Sequence, residues 1–64
     1  MRHFLVDPLD PSSLSDASDD IEAMDPNADV HLTFTTDDRS MVVTAVEAWR
    51  ELGELTAELS ALGA

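Results

Sequence analysis

The chain has no cysteine, no tyrosine and no lysine, two glycines, and only three basic residues, Arg2, Arg39 and Arg50, in 64 positions. Each shortage excludes something. Without cysteine no disulfide can staple a small core and no thiolate can serve as ligand or nucleophile, which fits a reducing cytoplasm. With so few cations the surface cannot bind DNA, RNA or anionic lipid directly, because phosphate contacts require a basic patch. Two glycines leave no glycine-rich phosphate loop, and no Ser-His-Asp arrangement stands in their place. No apolar run is long enough to span a bilayer. Met1 to Val6 is too short for the apolar part of a signal peptide and is followed at once by Asp7-Pro8. The expectation is a cytoplasmic, cofactor-free, non-enzymatic protein.

What the chain has is acid. Fourteen Asp and Glu give a formal net charge of −11 at pH 7, beyond the magnitude of about 2–8 that keeps a small domain soluble. Self-repulsion on this scale opposes compaction, so the charge calls for a use, and the use it fits is a basic partner. Disorder is the competing account of such a charge, yet 44% of the residues are hydrophobic and they fall at periodic positions. Residues 1–64 therefore read as one small folded domain, of the size that buries only about 60% of its unfolded surface.

Arg2-His3-Phe4-Leu5-Val6 reads as a strand over 2–6, and the prolines of Asp7-Pro8-Leu9-Asp10-Pro11 punctuate the connection after it. Asp10 can cap a helix that starts at Pro11. Leu14, Ala17, Ile21 and Met24 recur on one face of that helix, over 11–24, although Ser12, Ser13, Ser15 and Ser18 lower its propensity. Asp25-Pro26 ends it. Val30 to Thr36 alternates apolar and polar and predicts a strand over 30–36. From Asp38 onward the chain reads as one long amphipathic helix over 38–62, capped by Thr36, Asp37 or Asp38, with Gly53 in its middle and Gly63 as a stop. Val42, Ala45, Trp49, Leu52, Leu55 and Leu59 form its core face, so Trp49 is expected inside. The class is α+β, strand-helix-strand-helix, with both helices on one side of a two-stranded sheet. If the strands are parallel the crossover is right-handed. Such a sheet has open edges and a bare face, and a homodimer is one remedy.

Few residues invite metal or acid–base chemistry. His3 and His31 fall on the two strands as possible neighbours, but a metal site needs further ligands and the ordinary reading is two strand histidines. Asp25-Pro26-Asn27-Ala28-Asp29 opens like a calcium loop, yet Val30 stands where that loop needs glycine and Thr36 where it needs an acid. Asp19-Asp20 and Asp37-Asp38 pair carboxylates without a pocket to tune them.

The long helix carries the one functional signal. Glu47, Glu51, Glu54 and Glu58 fall within a band of roughly 60° at about 100° per residue. Ordinary solvated helix faces mix signs, whereas Glu47–Glu51 and Glu54–Glu58 are like-charge pairs at i, i+4, which destabilise a helix. Successive glutamates advance by about 4.5–6 Å, a spacing of the order of phosphates along a nucleic acid. With Asp16, Asp19, Asp20 and Glu22 of the first helix, the row could occupy a groove built for phosphates, meeting its Lys and Arg.

In size, in charge and in this acidic helical face the chain resembles small phage-encoded DNA-mimic inhibitors, many anti-CRISPR proteins among them. The resemblance implies an inhibitor in the host cytoplasm that blocks the DNA-binding surface of a host defence complex of the CRISPR type. Three other classes share parts of the pattern. An antitoxin would lay the C-terminal helix in the groove of a small basic toxin. A protein adapted to high salt would owe its charge to its solvent. An adaptor or oligomerisation module would use Leu52, Leu55, Leu59 and Leu62 as a seam.

Overall fold

Residues 1–63 are described by a computed structural model. The first strand, β1 (Arg2–Val6), runs into a connection held by side-chain bonds: the Asp7 N–H donates to Ser13 Oγ at 2.9 Å and the Leu9 N–H to Asp7 Oδ1 at 3.0 Å. Asp10 is the N-cap of α1 (Pro11–Glu22), its Oδ1 accepting the Ser12 N–H at 3.0 Å. Helix α1 buries Leu14, Ala17 and Ile21, with Met24 packed against the core. It ends earlier than the expected 24. Ala23 is the C-cap, and the Met24 N–H closes a last tight turn on the Ile21 carbonyl at 3.0 Å.

The central strand is β2 (Asp29–Phe34), parallel to β1 with His3 opposite His31 and Val6 opposite Phe34. The strand expected over 30–36 stops at Phe34, because Thr35 to Asp38 make a turn. The Phe34 N–H donates to the Arg39 carbonyl at 2.8 Å and the Arg39 N–H to Asp37 Oδ1 at 3.2 Å, while Asp38 sits at φ 54.

The helix expected over 38–62 is two elements. Ser40–Thr44 forms a third strand, β3, antiparallel to β2, and α2 runs from Ala45 to Gly63. The physical reason lies in two local facts. Asp37 and Asp38 are spent in the turn rather than on a helix cap, and the left-handed backbone at Asp38 is incompatible with a helix start there. Val42, Val43 and Thr44 are consecutive β-branched residues, stiff at χ1 and suited to a pleated surface. The fold is α+β, with strand-helix-strand-strand-helix order and a three-stranded sheet ordered β1-β2-β3.

Helix α2 succeeds β3 without a connecting loop. Its first amides are already satisfied: the Ala45 N–H donates to the Ala28 carbonyl at 2.8 Å, Val46 to Pro26 at 3.2 Å, and Glu47 to Thr44 Oγ1 at 3.3 Å. Thr44 thus takes the capping role expected of Thr36, Asp37 or Asp38. Both helices cover one face of the sheet. Between them lie Val6, Val30, Leu32 and Phe34 from the strands with Leu14, Ala17, Ile21, Ala45, Ala48 and Leu52 from the helices, all buried.

The expected core face of the long helix is corrected at two positions. Val42 belongs to β3 and points to the bare face, 55% exposed, and Trp49 is 48% exposed on a flank of α2. Removing Val42 from the helical wheel and adding Ala48 turns the core direction away from Trp49 by enough to bring that ring into solvent. Helix α2 passes Gly53 unbroken, and a Cβ there would meet nothing within 4 Å. Gly63 is the last helical residue among those described, and Ala64 lies outside them.

Candidate acidic interface

The elements distribute the carboxylates in a definite way. Glu47, Glu54 and Glu58 are exposed and Glu51 is half-buried. About the axis of α2 these four stay within roughly 60° of one another. Trp49, Gly53 and Thr56 occupy the opposite flank and line a groove with Pro11, Ser15, Ser18 and Asp19 of α1. The α1 side of α2 is therefore the Trp49 side, and the glutamates face away from α1. Because α1 packs on β1 and α2 on β2 and β3, away from α1 means outward, past the β3 edge of the sheet.

The acids of α1 divide in the same manner. Asp19 lines the groove with Trp49, and Glu22 lines a neighbouring groove with Ile21, Met24, Pro26, Val46 and Trp49. Asp16 and Asp20 lie on the other side of α1, beside Phe4 and Leu5 of β1. Asp20 is engaged there by Arg2, whose Nη2 lies 3.5 Å from Oδ2, both side chains more than half exposed. Of the eight acidic positions singled out in the sequence, the fold keeps the four glutamates of α2 together. It places Asp19 and Glu22 on a second surface, and Asp16 and Asp20 on a third.

The cations are used mostly by the fold. Arg2 stacks on Phe4 at 5.0 Å from the ring centroid, and Arg39 on Phe34 at 5.2 Å. Among the described residues Arg2–Asp20 is the one ion pair within 4 Å, so none of the four glutamates of α2 is paired at that distance, although Arg50, three residues after Glu47 and four before Glu54, borders the row on the same helix. The row is left to solvent or to a partner.

Other candidate chemistry finds structural roles. Asp25 Oδ1 accepts the Asn27 N–H at 2.9 Å and the Ala28 N–H closes on the Asp25 carbonyl at 3.0 Å, forming a turn. His3 and His31 stack on the bare face with ring centroids 4.3 Å apart and planes 9° apart, and a His3 ring nitrogen lies 2.9 Å from Thr33 Oγ1. Parallel rings do not converge on a common metal. Among the described residues no three of His, Cys, Asp and Glu come together as metal ligands, and no polar or charged residue is buried. No helix among the described residues is long and apolar enough to cross a membrane.

Sequence reasoning missed β3, which borders the glutamate row, and the exposure of Trp49. The signal for β3 was present as Met41-Val42-Val43-Thr44 directly after turn residues. Comparison of the chain with protein families, with curated proteins and with solved structures finds no match to any of them.

Proposed function

We propose that this protein is an acidic inhibitor that acts by occupancy: the glutamate row of α2 sits on a basic, nucleic-acid-binding surface of a partner and blocks it. The observation that carries this reading is the set Glu47, Glu51, Glu54 and Glu58, aligned on one flank and, among the described residues, in no ion pair within 4 Å, in a chain of net charge −11. A helix that keeps like charges at i, i+4 gives up stability, and binding is what returns it. The row is sparser than the phosphates of one DNA strand, about 4.5–6 Å against about 3.4 Å of axis per charge, so it imitates one strand rather than a duplex. The resemblance to phage-encoded mimics names the class of target, the DNA-binding surface of a host defence complex of the CRISPR type. Association by opposite charge is fast and weakens with salt.

The test is a variant in which Glu47, Glu51, Glu54 and Glu58 are replaced together by Gln. Loss of partner binding with the fold unchanged is the expected result; retained affinity removes the mechanism.

A second reading is favoured by one observation, the spread of the remaining acids over two further surfaces, the 25–29 turn and the 37–38 turn. Charge that coats a molecule is how a protein stays hydrated in concentrated salt. On that reading the domain is unfolded in dilute buffer and folds only as salt approaches about 1 M, where screening is nearly complete. A fold stable at physiological ionic strength removes this second reading.

A further inference from the structure

The glutamate row borders a strand edge that the fold leaves unpaired. In the β2–β3 ladder the bonds from Phe34 N–H to the Arg39 carbonyl and from Ala45 N–H to the Ala28 carbonyl fix which residues of β3 face β2. These are the odd-numbered ones, so the N–H and C=O of Ser40 and Val42 and the N–H of Thr44 point outward from the sheet. Edges of this kind are usually blunted by lysine, proline or a bulge. Strand β3 has none of these: Ser40-Met41-Val42-Val43-Thr44 carries no charge and no proline, and it pairs one-to-one with β2 along its length. The opposite edge differs, since β1 carries Arg2, already engaged with Asp20.

We propose that β3 takes an extended, basic segment of a partner polypeptide as a fourth strand. Main-chain bonds to Ser40, Val42 and Thr44 set its register, and Lys or Arg at alternate positions reaches up to Glu47, Glu51 and Glu54. Two physical features select this occupant. Helix α2 starts where β3 ends and runs back beside it, so at about 1.5 Å per residue Glu47 to Glu54 covers roughly 10 Å of the edge, most of the span of a five-residue strand. A second copy is disfavoured by the same row, because pairing β3 with β3 about a two-fold axis sets two glutamate rows side by side. The row therefore guards the edge against self-pairing and leaves it open to opposite charge. This inference rests on the reading of the glutamates as the contact with a basic partner, and adds how that partner is held.

The probe is a synthetic peptide of alternating Arg and Val, about six residues long, the usual length of a strand. Its controls are the alternating Glu–Val peptide and the Arg–Val peptide N-methylated at alternate residues. The expected result is saturable binding of the Arg–Val peptide alone, with slowed amide exchange at Ser40 and Val42 and the amides of Leu32 and Val30 unchanged. Val42→Pro, at a position whose N–H lies outside the β2 ladder, should weaken binding by about tenfold or more while the fold is kept. Equal binding of the native and N-methylated peptides overturns the strand and leaves the glutamate contact standing; this comparison needs no variant to fold. Undiminished binding by a Glu47→Gln, Glu51→Gln, Glu54→Gln variant overturns the edge proposal and the inhibitor reading together. Failure of the Arg–Val peptide to bind, or concentration-dependent dimers that protect Val42 without any peptide, also overturns the proposal.

Discussion

Asp38 shows how one residue redirects a stretch of chain. Its φ of 54 lies in the left-handed region, which Asp tolerates and β-branched residues do not. With Asp37 Oδ1 holding the Arg39 N–H, it turns β2 into β3. Replacing Asp38 by Val should lower stability by about 1–2 kcal/mol, whereas Asp38→Gly should hold or raise it, as read from denaturation midpoints. A Val variant as stable as the native protein would mean that the left-handed turn is not what redirects the chain. Trp49 makes the opposite point: its exposure depends on which residues share its helix, and no property of the residue alone reveals it. Arg2 and Arg39 were legible only as scattered cations; their stacking on Phe4 and Phe34 needs the strand register to be seen.

At the scale of elements, α2 is a continuous helix that tolerates Gly53 without any packing reason for it. A methyl at that position enters open space, so Gly53→Ala should stabilise the protein by about 1 kcal/mol. For a domain of this size that raises Tm by about 4–8 °C; an unchanged or lower Tm in a thermal melt would contradict the unstrained helix. The strand Arg2–Val6, the Asp10 cap and the core spacing of α1 could be read directly, because each is a local pattern whose burial partner does not alter it. The junction at Thr44 could not. Val42 fits a helical wheel and a strand equally well over five residues, and the choice is made by pairing with β2, a contact distant in sequence. The glutamate row survived the error, since Glu47 to Glu58 lie wholly within the part of the stretch that is helical. What was illegible is what the row borders.

At the scale of the whole molecule, net charge decides more than any single contact. The exposed Arg2–Asp20 pair adds little, and the repulsion among the remaining carboxylates is spread over a body 34 Å long and 15 Å thick. Raising the salt from about 0.02 M to about 0.5 M shortens the screening length severalfold. Thermal stability should rise with it, most steeply at the low end; a melting temperature indifferent to salt would mean that self-repulsion is not a cost the fold bears. The same screening should weaken partner binding, so folding and association should respond to salt with opposite signs.

The measurement that bears most directly on the central claim is affinity capture on the immobilised protein at physiological salt, with elution first by competing duplex DNA and then by high salt. Occupation of a nucleic-acid-binding surface predicts a partner that the DNA releases and that the Glu47→Gln, Glu51→Gln, Glu54→Gln, Glu58→Gln variant fails to retain. A partner that ignores the DNA and leaves only at high salt, or one held equally by the variant, would contradict it.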